Sequence, residues 1–284
     1  MNRKGTSLIE VLIVMAILAL MVGLLLSAVQ KVRSVASGMK AKNQLRQIIL
    51  AGHNYASANQ GNLPSATSND SIYYLMAVLP YLEVHGPVSY SYPPYGIGYR
   101  FLPIYLSEDD YSVGIVTANG PHAPTFMNTA SPVSLGLNAV ALTGVTSLAG
   151  QFSDGTSNTI GVSERLFGPQ SRANYFGYQG IARSTGPFDG GSLARGNFAD
   201  AKMLDVLPVT TGSPPRTRAS TLGVTFQVMP KWLEADGAQL QALQPGGLKV
   251  AMLDGSVRTI HPGVSEGTFW GLVTPAAGDI AEID

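Results

Sequence analysis

The sequence contains no cysteine, and this absence excludes several kinds of chemistry at once. Disulfides, thiolate metal sites and cysteine nucleophiles all require the missing side chain. A domain outside the cytoplasm would therefore be held together by its hydrophobic core alone, and 284 residues are enough to supply one. The length allows one large domain or two small ones.

Charge is also scarce. Charged residues make up 13% of the chain, and 18 basic residues balance 18 acidic ones, so the formal net charge is zero. Proteins that bind nucleic acid usually carry a basic excess and basic clusters. The composition therefore gives no support for a nucleic-acid partner.

Sequence motifs typical of enzymes are missing as well. The chain has four histidines, and none belongs to an H-E-x-x-H pair; no Gly-x-Ser-x-Gly elbow or P-loop occurs. His53 lies near the end of a predicted helix, where we expect it to pack beneath the globular domain or to bond a loop carbonyl. We predict that the protein is not an enzyme.

A long apolar run from Leu8 to Val29 lies near the N-terminus, and only Glu10 and Ser27 within it are strongly polar. As an α-helix the run would measure about 33 Å, which matches the roughly 30 Å hydrocarbon core of a bilayer. A secretory signal would have a shorter apolar region and a small-residue cleavage site beyond it. We predict a transmembrane helix at residues 8–29, with a cytoplasmic N-terminus because Arg3 and Lys4 precede it.

The helix is predicted to continue past the membrane to about Gln60, because apolar residues recur there at spacings of three and four. Gly61 and Pro64 then provide helix-stop signals. We expect the apolar stripe to pack on a globular domain. Its members are Val32, Val35, Met39, Leu45, Ile48, Ile49, Gly52 and Tyr55.

The segment from Gly5 to Glu10, together with the apolar run behind it, resembles the N-terminus of type IV prepilins and type II secretion pseudopilins. In that family a membrane peptidase cuts after the glycine and N-methylates the new first residue. The resemblance implies cleavage after Gly5 and a mature chain that begins at Thr6. The usual first mature residue is Phe, so Thr6 departs from the family pattern.

Glu10 is unusual in a membrane anchor, because a carboxylate inside a membrane helix costs free energy unless it is paired or lies near the interface. In a helical filament, Glu10 of one subunit would meet the free amine of Thr6 in its neighbour, which would offset both desolvation costs. The alternative is that Glu10 lies at the headgroup level and faces water.

A second resemblance covers more of the chain. Residues 28–64 are similar to a large family of bacterial pilin-like proteins that carry a domain of unknown function. Family members often have Cys near Lys42 and His where Gln244 stands, so no family role is transferred to these two side chains. Three later stretches agree with the family in order and spacing: LPYLE (79–83), SDGTSNTIGVSE (153–164) and PGGLKVAMLDGSVRTI (245–260).

Two of these stretches also predict β-structure from their local pattern. Residues 249–260 form two β-type runs around Asp254-Gly255, which is a strong hairpin signal. Residues 153–164 predict a turn that leads into a strand. In the first run of the hairpin, alternation places Lys249, Ala251 and Leu253 on one face and Val250 and Met252 on the other.

The same turns contain oxygen ligands, so calcium binding is the functional alternative. Asp154, Asn158 and Asp254 are the weak candidate ligands, and residues 107–110 (SEDD) form a second small acidic cluster. Neither group follows the spacing of an EF-hand loop. Asp, Ser and Asn also stabilise turns by bonding their own backbone. We therefore favour structural turns and predict no cofactor.

Two other regions are predicted to be loops. Residues 89–99 (SYSYPPYGIGY) carry four tyrosines among prolines and glycines, and we expect them to cover the core as an extended flap. Binding of a sugar ring or a partner protein is the alternative for this stretch. Residues 168–244 are rich in Gly, Ser and Pro and are predicted to be an insertion of short strands and long loops.

The predicted fold is α+β and pilin-like: a long N-terminal helix, transmembrane and then amphipathic, packs on a globular domain of antiparallel β-sheet with long loops. The leader is predicted at residues 1–5. The helix spans residues 6–60, with 8–29 transmembrane and 30–60 amphipathic, and the globular domain spans residues 61–284 outside the cytoplasm.

The leading functional prediction is a non-enzymatic prepilin-like subunit of a pilus- or pseudopilus-type assembly, held in the inner membrane by a single helix or incorporated in a filament. The resemblance implies prepilin peptidase as the processing partner. It also implies pilin-like subunits, including other copies of this chain, as partners of the N-terminal helix. The alternative is a membrane-anchored module that binds a ligand or carbohydrate outside the cytoplasm and does not polymerise.

Overall fold

The structure is a computed structural model. The predicted leader, the tyrosine-rich stretch at 89–99 and most of residues 168–244 lie outside the residues that it describes. The described residues are 8–65, 71–82, 102–113, 131–138, 140–142, 146–148, 150–166, 175–176, 197–198, 225–231, 234–235 and 239–275.

Helix α1, Leu8–Ala58, is a continuous helix of 51 residues and is about 77 Å long at 1.5 Å per residue. It ends in a turn where Gln60 and Gly61 take positive φ angles of 58° and 81°. The Gly61 N–H donates to the Ala56 carbonyl at 2.8 Å, a closure that glycine favours at helix C-termini. The predicted stop signal at Gly61 is confirmed.

The chain divides into two compact units, Met1–Lys40 and Ala41–Asp284. Two further helices, α2 (Ser71–Val78) and α3 (Glu266–Val273), and two short 3-10 helices, Leu79–Tyr81 and Pro103–Tyr105, belong to the second unit. Its strands are β1 (Asn62–Leu63), β2 (Ser131–Pro132), β3 (Leu135–Asn138), β4 (Thr146–Ser147), β5 (Ile160–Glu164), β6 (Tyr175–Phe176), β7 (Asn197–Phe198), β8 (Phe226–Val228), β9 (Leu240–Ala242), β10 (Leu248–Met252) and β11 (Val257–Ile260).

The main sheet among the described residues has the strand order β11-β10-β5-β3-β7. Strands β11, β10, β5 and β3 are antiparallel to their neighbours, while β7 adds to β3 in parallel. The other described strands form the pairs β1-β4, β2-β6 and β8-β9. The central strands β5 and β10 are buried along their whole length, because the sheet is covered on both faces.

The two faces of β10 belong to two different hydrophobic clusters. Ala251 and Leu253 join the first core cluster, which contains Leu45, Ile48 and Ile49 of α1. Val250 and Met252, on the other face of β10, join the second core cluster together with residues of α3, as the alternation along the strand predicts. The fold is therefore α+β, with the second part of α1 packed on an antiparallel sheet, as expected. The second cluster contains Leu248, Val250, Met252, Phe269, Leu272 and Val273.

A β-bulge at Gly161 adapts the sheet to the helix. Ala251 pairs with Val162, whereas Met252 pairs with Ile160, so Gly161 is the extra residue on β5. A Cβ at Gly161 would lie 2.7 Å from the Ile49 Cδ1 atom and 2.7 Å from a Leu253 methyl. The bulge also explains why Ile160 and Val162, two residues apart, join different core clusters.

The predicted apolar stripe of the helix is only partly correct. In the second unit, Leu45 and Ile48 are buried as expected, whereas in the first unit Val32, Val35 and Met39 are 69%, 58% and 62% exposed. The reason is helical geometry: at about 100° per residue, the centres of the two sets lie roughly 140° apart around α1. Spacings of three and four hold within each set but do not align one set with the other.

Candidate functional site

The first part of α1 presents an apolar surface. From Leu8 to Val29 its large hydrophobic side chains are exposed, with fractions from 49% at Leu18 to 82% at Leu8. By length and composition the helix can cross a membrane, and none of its most apolar window is buried. A continuous exposed apolar surface along a whole helix marks contact with lipid or with other proteins. The predicted transmembrane segment therefore has the surface that a bilayer requires.

The two polar residues of this segment are accommodated in different ways. The Ser27 hydroxyl donates to the Leu24 carbonyl at 2.9 Å, so the helix itself satisfies it. Glu10 is exposed and lies in the first turn of the described helix, where the helix dipole favours a carboxylate. Gly5 and Thr6 lie outside the described residues, so the predicted contact between Glu10 and a Thr6 amine stays a prediction.

His53 connects α1 to the hairpin formed by β10 and β11. Its Nε2 atom is 2.6 Å from the carbonyl oxygen of Leu253, the residue that follows β10. The expectation that His53 bonds a loop carbonyl is confirmed. The same part of α1 lies close to α2. A Cβ atom added at Gly52 would lie only 2.6 Å from the Tyr74 hydroxyl oxygen. Burial raises the pKa of the Tyr74 hydroxyl above its usual range.

The predicted hairpin around Asp254-Gly255 is confirmed by the antiparallel register of β10 and β11. Gly255 has a φ of +87°, which a side chain would disfavour. The Asp254 carboxylate accepts the Ser256 N–H at 2.8 Å. The Asp254 N–H in turn donates to the Thr156 carbonyl at 3.1 Å. The two turns singled out from the sequence are therefore neighbours in the structure.

The weak calcium candidates make turn contacts. Asn158 donates through Nδ2 to the Asp154 carbonyl at 3.0 Å, and the Ser153 hydroxyl donates to the Asp154 carboxylate at 3.2 Å. Within the described residues, no group of three or more His, Cys, Asp or Glu side chains is placed to hold a metal ion. These contacts fit the turn interpretation, and calcium binding stays the untested alternative.

The acidic stretch at 107–110 also has structural contacts. The buried Asp110 carboxylate accepts the Ser112 hydroxyl at 2.6 Å and the Ser134 hydroxyl at 2.5 Å. Asp109 accepts a hydrogen bond from Gln244 Nε2 at 2.9 Å. Gln244, one of the two departures from the resembling family, thus joins this stretch to the segment that precedes β10.

Sequence reasoning missed a buried ion pair in the sheet. The Lys249 Nζ atom lies 3.0 Å from Glu164 Oε2, and the two side chains are 4% and 2% exposed. Glu164 Oε1 also accepts the N–H groups of Lys249 and Leu243, at 3.0 and 3.3 Å. Burial raises the pKa of Glu164, and these three donors partly oppose that shift. The available signals were a lysine inside the otherwise apolar run of β10 and a glutamate at the end of the strand predicted within residues 153–164.

A long, exposed, apolar N-terminal helix followed by an α+β domain is the organisation expected of a prepilin-like membrane protein. Comparison with known families agrees. A family model for the prokaryotic N-terminal methylation motif matches residues 1–26. A second model, described as a protein of unknown function (DUF1559), matches residues 30–88 and 112–264, and the chain belongs to this family. No curated protein and no solved structure shows significant similarity to the chain.

Proposed function

We propose that this chain is a non-enzymatic subunit of a pilus- or pseudopilus-type envelope assembly, cleaved after Gly5 and assembled through α1. The observation that carries the proposal is a coincidence of two features in one segment. Residues 8–29 expose an apolar surface, and the methylation motif matches residues 1–26. A plain anchor requires the first feature and has no need of the second.

The proposed topology follows from the same segment. The leader at residues 1–5 is assigned to the cytoplasm on its prepilin-like motif and not on charge, since basic residues such as Lys31 and Arg33 also follow the other end of the span. The helix at residues 6–60 crosses the inner membrane at 8–29, and residues 61–284 form the domain outside the cytoplasm. Prepilin peptidase is the proposed processing partner.

Glu10 has a position that suits assembly. It is an exposed acidic residue within an apolar surface, near the end of the proposed span, where removing a carboxylate from water costs less than it would at mid-bilayer. The new Thr6 amine of a neighbouring subunit would supply an opposite charge at the same end of the helix. Pairing offsets the cost of removing both groups from water.

The processing step is tested by an intact mass of the chain after co-expression with a prepilin peptidase. We expect the loss of Met1 to Gly5 and the addition of one methyl group at Thr6. Gly5→Val is the matched control, because a bulky side chain at the cut position should keep the leader in place. An uncut wild-type chain would reduce the segment to a plain anchor.

The assembly step is tested by co-isolating tagged and untagged copies of the chain from membranes. We expect Glu10→Ala to lower the yield of the untagged copy strongly. Ser27→Ala is the control, since the Ser27 hydroxyl bonds only its own helix in the described structure. Equal yields from wild type and Glu10→Ala would contradict the assigned role of Glu10.

A further inference from the structure

Beyond Glu10, the charged side chains of α1 are all basic. No acidic residue occurs between Glu10 and Asp70, whereas five basic residues lie on the helix in that interval. The first two, Lys31 and Arg33, follow the apolar run directly, and both are exposed. A strongly cationic segment therefore begins where the uninterrupted apolar run ends.

The depth of these two residues matches a headgroup layer. At 1.5 Å per residue, the rise from Glu10 to Lys31 is about 31 Å, close to the roughly 30 Å hydrocarbon core. Lys31 and Arg33 then lie about 3 and 6 Å beyond Val29, and each headgroup layer is roughly 5–8 Å thick. Lys40, about 16 Å beyond Val29, lies past that layer.

Their directions favour a partner that surrounds the helix. At about 100° per residue, Lys31 and Arg33 point roughly 200° apart around α1, so they lie on opposite sides at nearly the same depth. A single docked protein covers one side of a helix. The headgroup layer of a bilayer surrounds it, and an anionic layer is complementary to both charges.

We propose that Lys31 and Arg33 form a basic collar that binds anionic phospholipid headgroups in the leaflet opposite the N-terminus. The inference rests on the proposed membrane span but not on cleavage or assembly. With the collar in one headgroup layer, Glu10 lies at the opposite edge of the hydrocarbon core, because the helix between them spans that core.

The test uses the full-length chain in vesicles of phosphatidylcholine with a minor fraction of phosphatidylglycerol. Spin-labelled lipids report the preference of the protein for phosphatidylglycerol over phosphatidylcholine. Each basic residue near an anionic surface is expected to contribute up to about fivefold at low salt. We expect the Lys31→Gln/Arg33→Gln double variant to lose most of the preference, and high salt to remove it in the wild type.

The matched control is Lys40→Gln/Arg46→Gln, which removes the same charges from exposed positions further along α1 and should keep the preference. Circular dichroism checks that both variants remain helical. Equal preference in wild type and the Lys31/Arg33 variant, or an equal loss in the control, would overturn the collar. Flotation with pure phosphatidylcholine vesicles reports the span separately: a chain that fails to float would overturn both the span and the collar.

Discussion

The two units of the chain differ in which side chains they expose and which they bury. In the described part of the first unit, residues 8–40, large apolar side chains are exposed. In the second unit, even the charges of Glu164 and Lys249 are buried. Each arrangement suits its surroundings. The exposed apolar side chains of the first unit suit lipid, which accepts apolar surface but no unsatisfied polar group. The core of the second unit excludes water and accepts charges only when they are paired.

The comparison shows that burial is decided by what each unit has to pack against. Ile48 and Val32 are both β-branched residues of α1, yet the first is buried and the second is 69% exposed. The sheet covers Ile48 in the first core cluster. Four experiments test this contrast.

Breaking the buried ion pair should have the largest effect. Lys249→Met leaves the Glu164 carboxylate buried without its counter-charge, which typically costs about 3–5 kcal/mol. The free energy of unfolding, from urea titration of the detergent-solubilised chain, measures the loss. The control is Glu164→Gln/Lys249→Met, which removes both charges while the new amide oxygen can still accept the backbone N–H groups of residues 249 and 243, so it is expected to be more stable than the single variant. A single variant as stable as the double one would show that the second unit tolerates an unpaired buried charge.

A charge in the apolar surface of the first unit should act on insertion. Leu20 lies near the middle of the span, and Leu20→Lys is expected to oppose membrane insertion by about 2.5–3.5 kcal/mol plus the lost leucine contribution. The inserted fraction in membranes measures the effect. Met39→Lys makes the same kind of change on an exposed residue beyond the span and should insert normally. Normal insertion of Leu20→Lys would contradict the assigned span.

A methyl group at the β-bulge should disturb the contact between helix and sheet. Gly161→Ala places a carbon 2.7 Å from both Ile49 and Leu253 side-chain atoms, and such overpacking typically costs about 1–3 kcal/mol. Gly267→Ala in α3 is the control, since nothing lies within 4 Å of its new methyl. The control should be neutral or slightly stabilising in urea titration. Equal stability of the two variants would contradict the tight approach of α1 to Gly161.

The buried Tyr74 should make the second unit sensitive to alkaline pH. Burial raises the pKa of the Tyr74 hydroxyl, so above about pH 10 the unfolded chain releases this proton while the folded chain keeps it. Stability is full below that pH and falls above it, by at most about 1.4 kcal/mol per pH unit for this group. Unfolding at neutral and alkaline pH measures the loss, and Tyr74→Phe should lessen it. An unchanged pH dependence would remove Tyr74 as the cause.

The features that the sequence predicted are encoded locally. Asp254-Gly255 specifies the hairpin within a few residues, and Gly61 stops α1 through its own backbone conformation. His53 was expected to meet a loop carbonyl, although its partner Leu253 was not predicted. The apolar run from Leu8 to Val29 also required no knowledge of the rest of the chain.

The features that escaped prediction depend on pairing between distant segments. The Glu164–Lys249 pair exists only because β5 and β10 are adjacent, and the Gly161 bulge is visible only in their register. Asn138 is similar: its Nδ2 atom donates to the carbonyls of Ile160 and Val273 at 2.8 and 2.7 Å. Strand order and register are set by the whole core, so one stretch of sequence does not reveal them.

The contact between His53 and Leu253 joins residues 200 positions apart, and this separation has a consequence for biogenesis. Helix α1 forms from local contacts as soon as it is synthesised. Its inward-facing residues share the first core cluster with Ala251 and Leu253, which are synthesised near the end of the chain, and contacts between such distant residues close last. A chain truncated before Leu248 would lack the His53–Leu253 contact and the Ala251 and Leu253 side chains of this cluster, and it is expected to be more sensitive to proteolysis than the full chain. The packing of the first helix is therefore completed only after the last strands have been synthesised.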